Sequence, residues 1–402
     1  MKRKICIMGL GYIGLPTAAL LATKGHQVHG VDIKPEVVDI INKGLIHIVE
    51  PELDAFVKSA VQSGNLKASL QPDYADIFII TVPTPVDMEN NPDITYVIEA
   101  ANAIAPFLKE GNFLILESTS PIGTTEKLVE LLQQKGVDVD KLHVVYSPER
   151  VLPGQTMREL VENDRIVGGI TPESAEKVCE FYQSFVQGKV IKTNARTAEM
   201  SKLTENACRD VNIAFANELS ILCDKFNIDV WELISLANRH PRINILKPGS
   251  GVGGHCIAVD PWFIVAEGKD DARIIRTARE INNRKPQWVV DKVINEAKLF
   301  KQKHNREAQI ACLGIAFKPD IDDLRESPSL HIVNDLLSKG IEVLIVEPNI
   351  KSHKSIHLTP FGEAIAKADI IVFLVAHKEF KKVQVPADKI VIDICGVQSK
   401  FN

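Results

Sequence analysis

No run of about 20 consecutive apolar residues occurs in the 402-residue chain, so no membrane-spanning helix is expected. A basic block is also missing. Lysine and arginine number 47 against 52 acidic residues, for a net charge of −5, which favours neither nucleic acid nor an anionic membrane as partner. Of cysteine there is little, and it is unpatterned: Cys6, Cys179, Cys208, Cys223, Cys256, Cys312 and Cys395 are scattered, odd in number and without C-x-x-C spacing. That argues against a disulfide framework or a zinc site and for a reducing cytoplasm, and no metal is expected. The start, Met1-Lys2-Arg3-Lys4 before an apolar run, imitates a signal peptide, but Gly9, Gly11, Gly14 and Pro16 interrupt the run. What is present is ordinary for a globular chain: 45% hydrophobic and 25% charged residues, and enough length for two or three domains.

The interrupting glycines form a pattern of their own. Lys4 to Met8 reads as a short buried strand, Gly9-Leu10-Gly11-Tyr12-Ile13-Gly14 follows, and a helical run extends from Leu15 to Lys24. A second strand, Gln27 to Val31, ends at Asp32, 18 residues after Gly14. This is a βαβ unit with G-x-G-x-x-G at its first turn, the pattern that seats a dinucleotide pyrophosphate on a helix N-terminus. Asp32 suits the two ribose hydroxyls and would repel a 2′-phosphate, so NAD is expected rather than NADP, with Lys34 slightly blurring that preference.

Further strands are expected at Ile77–Val82, Phe113–Glu117 and His143–Tyr146, separated by helical stretches, which implies a doubly wound, mostly parallel sheet. The carboxyl ends of those strands carry Thr84, Thr119, Glu149 and Arg150, which are site candidates, although turn chemistry and helix capping would use the same residue types. From about Ala195 to Phe300 the strand pattern is lost. Ala198 to Lys225 has neither Gly nor Pro and reads as a helix roughly 40 Å long at about 1.5 Å per residue. Asp229–Asn238, Asp271–Lys285 and, after Pro286, Gln287–Lys303 also read as helices. The last hundred residues echo the first: Gln309–Gly314, Ile341–Pro348 and Ala368–Leu374 repeat the strand patterns without the glycine fingerprint. The fold class is therefore α/β, with two Rossmann-like doubly wound domains joined by a helical middle domain with a long central helix. Boundaries are expected at residues 1–195, 196–303 and 304–402.

The segment Pro248-Gly249-Ser250-Gly251-Val252-Gly253-Gly254-His255-Cys256-Ile257-Ala258-Val259-Asp260-Pro261 places one cysteine just after a loop with four glycines in six positions. Such a loop lets backbone approach a ligand closely. A thiolate at its end is a strong nucleophile. Beside a nicotinamide site, that combination suggests an oxidation passing through a thioester.

Taken together, the segments GLGYIGLP, VPTP, EST, SPERVLPG, TAEMSKLTENACRDVNIAFANEL, GVGGHCIAVDPW and AFKPDIDDLRESP resemble, in order and over essentially the whole chain, the UDP-glucose and UDP-N-acetylhexosamine 6-dehydrogenases. SPERVLPG and HPRIN resemble the branch that acts on UDP-N-acetyl-D-mannosamine. The resemblance implies four-electron oxidation of the sugar CH₂OH to a carboxylate with two NAD⁺ per turnover, through a thiohemiacetal and a thioester on Cys256, for surface polysaccharide synthesis in the cytoplasm. It also implies a homodimer built on the helical region.

Residue roles follow from the same resemblance. Lys202 would stabilise oxyanions, and Asn206, at i+4 on the same helix face, would hold the same oxygen or a water. Asp260 or Glu149 would be the hydrolytic base, with Thr119 positioning water. Gly9, Gly11, Tyr12, Ile13, Gly14, Asp32, Thr84, Thr119 and Arg325 would contact NAD. Arg150, Val151, Lys202, Asn206 and Arg209 would contact the UDP-sugar, joined by His240 and by Arg242 from a neighbouring subunit. Gly253, Phe317 and Lys318 would complete the pocket. One departure stands out: Cys395 occupies a position where relatives commonly carry Lys or Arg, leaving one fewer cation for the substrate. The same chemistry on UDP-GlcNAc, UDP-GalNAc or UDP-glucose stays open, as do a two-electron hydroxy-acid-type dehydrogenase, which would need no Cys256, and a non-catalytic NAD-binding protein.

Overall fold

The structure, a computed structural model, describes residues 2–254, 256–381 and 383–401. By compactness the chain falls into two units. One comprises Met1–Glu205 with Trp262–Gly268, the other Asn206–Pro261 with Lys269–Asn402.

The first unit is built on eight strands: β1 (Lys4–Met8), β2 (Gln27–Val31), β3 (Leu66–Ser69), β4 (Ile77–Ile80), β5 (Phe113–Leu116), β6 (His143–Tyr146), β7 (Arg165–Gly169) and β8 (Val190–Asn194). They lie in the order β3-β2-β1-β4-β5-β6-β7-β8. All neighbours are parallel except β6 and β7. Alternate residues face opposite cores: Ile5, Ile7, Ile77 and Ile79 on one side, Cys6, Met8, Phe78 and Ile80 on the other. A sheet covered on both faces needs such continuous apolar strands, and each buried isoleucine contributes about 1.5–3 kcal/mol. The strands β3, β7 and β8 carry no strong sequence signal. In β7 two of five residues are glycine, and β8 is largely exposed. Gly168 is required there, because a Cβ would lie 2.5 Å from the Ala198 Cβ and 2.6 Å from the Asn194 carbonyl oxygen.

The second unit carries β9 (Ile310–Leu313), β10 (Val343–Val346), β11 (Ile370–Phe373) and β12 (Ile390–Asp393) in the parallel order β10-β9-β11-β12. Both sheets are thus Rossmann-like and doubly wound, each with a core on either face.

The helix Ala195–Phe226 gives residues 195–205 to the first unit and 206–226 to the second. One expectation fails at Pro286. Instead of two helices meeting there, a single helix of 32 residues, Arg273–His304, runs through it. An interior proline costs a helix about 3 kcal/mol. The cost is met by a buried stripe that continues past it, through Ala278, Asn282, Lys285, Val289 and Val293.

Candidate active site

At the end of β1 the chain turns through Gly9, whose φ of +93° suits glycine. Gly14 opens the helix Gly14–Thr23, and a Cβ on it would sit 1.9 Å from the Gly9 carbonyl oxygen. Around Gly11 there is nothing within 4 Å of a hypothetical Cβ, so backbone can be approached there. The helix start has no side-chain cap; Leu15 already donates to the Gly11 carbonyl and Pro16 has no N–H, so the turn as far as Gly14 is what meets a phosphate. Tyr12 and Ile13 lie in this turn. At the end of β2, the Asp32 carboxylate is oriented by N–H bonds from Leu10 (3.1 Å) and Lys34 (3.0 Å) and remains half-buried. Open backbone, uncapped helix and oriented acid fit a dinucleotide.

Beyond β4 and β5, the Thr84 hydroxyl donates to the Thr119 carbonyl at 2.5 Å, joining two of the candidate strand ends. Glu149 follows β6 and is 9% exposed. Its carboxylate accepts the Arg150 N–H at 2.7 Å and an ion pair from Arg165. Arg165 also reaches Glu117 at 3.0 Å and lies over the Tyr182 ring at 4.5 Å, while the Tyr182 hydroxyl donates to Glu117 at 2.6 Å. Burial pushes the Glu117 carboxyl up, with Arg165 opposing. Arg150 itself pairs with Glu205 at 2.8 Å and donates to the Asp164 carbonyl. Val151 packs against the core. The loop beyond is tied down by buried Glu50, which accepts from Gly154 and Thr156 at 2.9 and 2.8 Å.

On the helix Ala195–Phe226, Lys202 is half-buried in the first unit and Asn206, one turn on, belongs to the second. Within the second unit the Asn206 amide donates to the Asp260 carboxylate at 2.5 Å, and the Asp260 N–H donates to the Cys256 carbonyl at 2.8 Å. Asp260 is buried and Cys256 is exposed. Three residues of the sequence constellation are therefore together. The loop before them admits only glycine at its end: a Cβ on Gly253 would lie 2.3 Å from the Glu326 carbonyl oxygen, and one on Gly254, at φ +81°, 3.1 Å from the Phe317 ring. Phe317 thus braces the approach to Cys256. By contrast, burial pushes the Cys6 and Cys312 thiols up to about 12 and Cys179 to about 11, leaving them inert at neutral pH.

Arg209 is exposed on the central helix, and His240 and Arg242 are exposed on a loop closed at its base by Asn238, which exchanges two hydrogen bonds with Ile245. Lys318 lies 5.9 Å from the Phe317 ring centre. Arg325 forks onto Asp323, with the Nη2 contact at 2.6 Å. Cys395 turns inward: its thiol donates to the Phe373 carbonyl at 3.5 Å, and burial raises its pKa. Asp320, His377 and Glu379 bring potential ligand atoms within 4.8 Å of one another. The His377 Nδ1, however, accepts from the Asp320 N–H and the Asn349 amide, and Nε2 donates to Glu347.

Several supporting residues have no role that the sequence assigns. The Arg279 guanidinium and the Asn282 amide both reach Asp210, at 2.6 and 2.8 Å; Asn217 donates to Asn282 at 2.9 Å and accepts the Gly249 N–H at 2.9 Å. Arg165 and Glu117 serve Glu149 in the same silent way. Their only signal was a charged or amide residue, which many surface positions share.

Residues 3–186 match the NAD binding domain of the UDP-glucose/GDP-mannose dehydrogenase family, 196–284 its central domain and 311–400 its UDP binding domain. The chain is 56% identical over 406 residues to a UDP-N-acetyl-D-mannosamine dehydrogenase of Campylobacter jejuni, covering 96% of this chain and 98% of that one. It is 52% identical over 413 residues to an NDP-N-acetyl-D-galactosaminuronic acid dehydrogenase of Ralstonia nicotianae, covering 99% and 96%. The solved UDP-D-ManNAc dehydrogenase of Pyrococcus horikoshii superposes with a TM-score of 0.88 at 40% identity, covering 99% of this chain and 96% of that one. With its glycine turn and oriented Asp32 in the first of three consecutive matching segments and its Cys256 loop in the second, the chain belongs to the UDP-glucose/GDP-mannose dehydrogenase family, as an NAD-binding member.

Proposed function

We propose that this chain oxidises C6 of UDP-N-acetyl-D-mannosamine from alcohol to carboxylate, holding the carbon on Cys256 between the two oxidations. The observation that carries this reading is exposed Cys256 after a glycine-rich loop, one turn from buried Asp260, which accepts from Asn206. A simple alcohol oxidation needs no such thiol. The identity to UDP-N-acetyl-D-mannosamine dehydrogenases supports the choice of sugar.

When bound, NAD⁺ supplies the hydride acceptor for both oxidations. Gly9–Gly14 with Tyr12 and Ile13, the Asp32 carboxylate, Thr84 and Thr119 would hold it, and Arg325 would be its contact from the C-terminal segment. The Cys256 thiolate adds to the C6 aldehyde and keeps it from escaping. Lys202 and Asn206 stabilise the negative oxygen of the thiohemiacetal and of the tetrahedral species formed in hydrolysis. Water then adds to the thioester carbonyl, its proton passing to Glu149 or Asp260 with Thr119 orienting it, and the C–S bond breaks with the electron pair leaving on sulfur. Arg150, Val151, Arg209, His240, Gly253, Phe317 and Lys318 hold the nucleotide sugar, with arginine suited to its phosphates and carbonyls.

The proposed assembly is a homodimer through the helical region, with Arg242 supplied across the interface. Exposed Phe215, Phe226, Ile228 and Leu236 support it, since apolar side chains gathered on one region mark a contact surface. The proposed compartment is the cytoplasm, where scattered thiols stay reduced. The proposed domain limits are 195/196 and 303/304.

The test is NADH yield per sugar across UDP-N-acetyl-D-mannosamine, UDP-GlcNAc, UDP-GalNAc and UDP-glucose, with the product weighed by mass spectrometry. Two NADH and one carboxylate are expected, with the highest kcat/KM on the first sugar. One NADH with an aldehyde released would reject the thioester route, and a better kcat/KM on UDP-glucose would reject the sugar. Cys256→Ser is expected to lose more than about tenfold in kcat, above roughly 1.4 kcal/mol.

A further inference from the structure

We propose that Asn217, Asn282 and Pro286 are positioning residues for the Cys256 nucleophile, and that Pro286 interrupts its helix in order to seat the glycine loop. This inference rests on the reading of Cys256 as nucleophile and adds residues to which the sequence assigns no role.

Pro286 has no N–H, so the Asn282 carbonyl four residues earlier is deprived of its regular helical donor. Gly251 lies against that point. A Cβ on Gly251 would be 3.1 Å from the Asn282 carbonyl oxygen, 3.3 Å from Pro286 Cγ and 3.1 Å from Pro328 Cβ. Its φ is +138°, which a side-chain-bearing residue rarely adopts. The helix interruption and the loop thus share one notch.

The neighbouring turn is held from the same helix by hydrogen bonds. Asp210 is fully buried and receives Arg279 and the Asn282 amide. The Asn282 side-chain oxygen accepts from Asn217, leaving the Asn217 oxygen to accept the Gly249 N–H. Asn217 and Asn282 are 0% and 1% exposed, so water does not substitute cheaply for either. Buried Ser250 donates to the Leu374 carbonyl at 2.9 Å, a third anchor. The glycine loop is therefore held at Gly249, Ser250 and Gly251, ahead of Cys256. Displacing a reacting atom by about 1 Å costs on the order of a hundredfold in rate, which gives these anchors a catalytic consequence.

Pro286→Ala separates positioning from stability. It restores an N–H to the Asn282 carbonyl and favours the helix, so the melting temperature should hold or rise. The rearranged notch should nonetheless lower kcat by about tenfold or more, leave KM for the UDP-sugar within about twofold, and speed hydrogen exchange in the peptide spanning 249–260. Asn217→Ala should show the same kcat-without-KM loss and faster exchange of that peptide. If both variants keep wild-type kcat and loop exchange while Cys256→Ser is inactive, the positioning proposal is overturned and the nucleophile assignment stands. If Cys256→Ser retains activity, the nucleophile assignment fails and the proposal with it. A loss of kcat in Pro286→Ala accompanied by a lower melting temperature and uniformly faster exchange would also overturn it, because that marks a general packing defect.

Discussion

Asp32 and Glu347 terminate equivalent second strands of the two sheets, yet their carboxylates are committed differently. Asp32 accepts one backbone N–H on each oxygen and stays half-buried. Glu347 is buried and accepts from Ile315, Ala316, His377 and both nitrogens of Asn349. Hydrogen bonds from His377 and the backbone hold its carboxyl below the usual range despite burial. A ribose would find an acceptor at the first strand end and a closed network at the second, which is consistent with the fingerprint occurring once.

Asp32→Ser should therefore relax cofactor choice. Removing the carboxylate takes away both the ribose acceptor and the repulsion of a 2′-phosphate. The expected result is a KM for NAD⁺ raised about tenfold, with activity on NADP⁺ gained. The ratio of the two kcat/KM values measures it, and an unchanged ratio would show that Asp32 does not read the ribose.

Arg165→Met tests the buried ion cluster. Arg165, Glu117 and Glu149 have side chains 5%, 0% and 7% exposed. Removing the cation leaves two carboxylates buried together, at a cost of about 3–5 kcal/mol. Urea unfolding at neutral pH should show the loss, and acidification should narrow the gap to wild type as the stranded carboxyls protonate. A loss below about 1 kcal/mol, the range of surface pairs, would mean that water reaches the cluster.

By sequence, Cys395→Lys returns the cation that relatives commonly carry at this position. The inward thiol, bonded to the Phe373 carbonyl, changes the expectation. A lysine there must bury its ammonium or disturb the turn in which Asp393 accepts the N–H groups of Cys395, Gly396, Val397 and Gln398. The variant should melt lower and bind the UDP-sugar no more tightly. Improved KM with an unchanged melting temperature would show that the position can face the substrate.

Lys285 provides a pH signature. Burial lowers its pKa to about 7, with Asp224 opposing. Its amine meets Ser220 at 2.5 Å and lies 3.8 Å from the centre of the Trp288 ring. Because the folded pKa lies below the unfolded one, the unfolded chain binds more protons between about 7 and the ordinary lysine range. Burying this lysine thus costs stability in full below that window, where its ammonium stays charged in the fold, and the cost fades as pH rises through it. Lys285→Met should raise the melting temperature at pH 6 to 7, with an advantage that shrinks toward pH 10. A pH-independent difference would place the amine in a better-solvated setting.

Local chemistry was legible in the sequence. Gly9 is glycine for its φ of +93° and Gly14 because a Cβ there would strike the Gly9 carbonyl within the same turn, and Asp32 follows from the length of a single βαβ unit. The Gly249–Cys256 loop announced itself by composition, since few uses other than close backbone approach favour four glycines beside one thiol. The long helix 195–226 followed from a stretch without breakers, whereas the helix through Pro286 was misjudged because a local rule forbids it and buried packing on both sides overrides the rule.

Tertiary structure decided who serves those residues. Asn282 meets Asp210 across 72 positions, Asn217 meets Asn282 across 65, and Arg165 meets Glu117 across 48. Nothing in the sequence near any of them specifies the partner, because the pairing depends on which helix faces and strand ends packing brings together. The sequence determined the chemistry of the turn, the acid and the thiol, for each depends on bonds its own neighbours make. The shape and rigidity with which they are held came from buried polar contacts between distant segments, which exist only once the cores around them have closed.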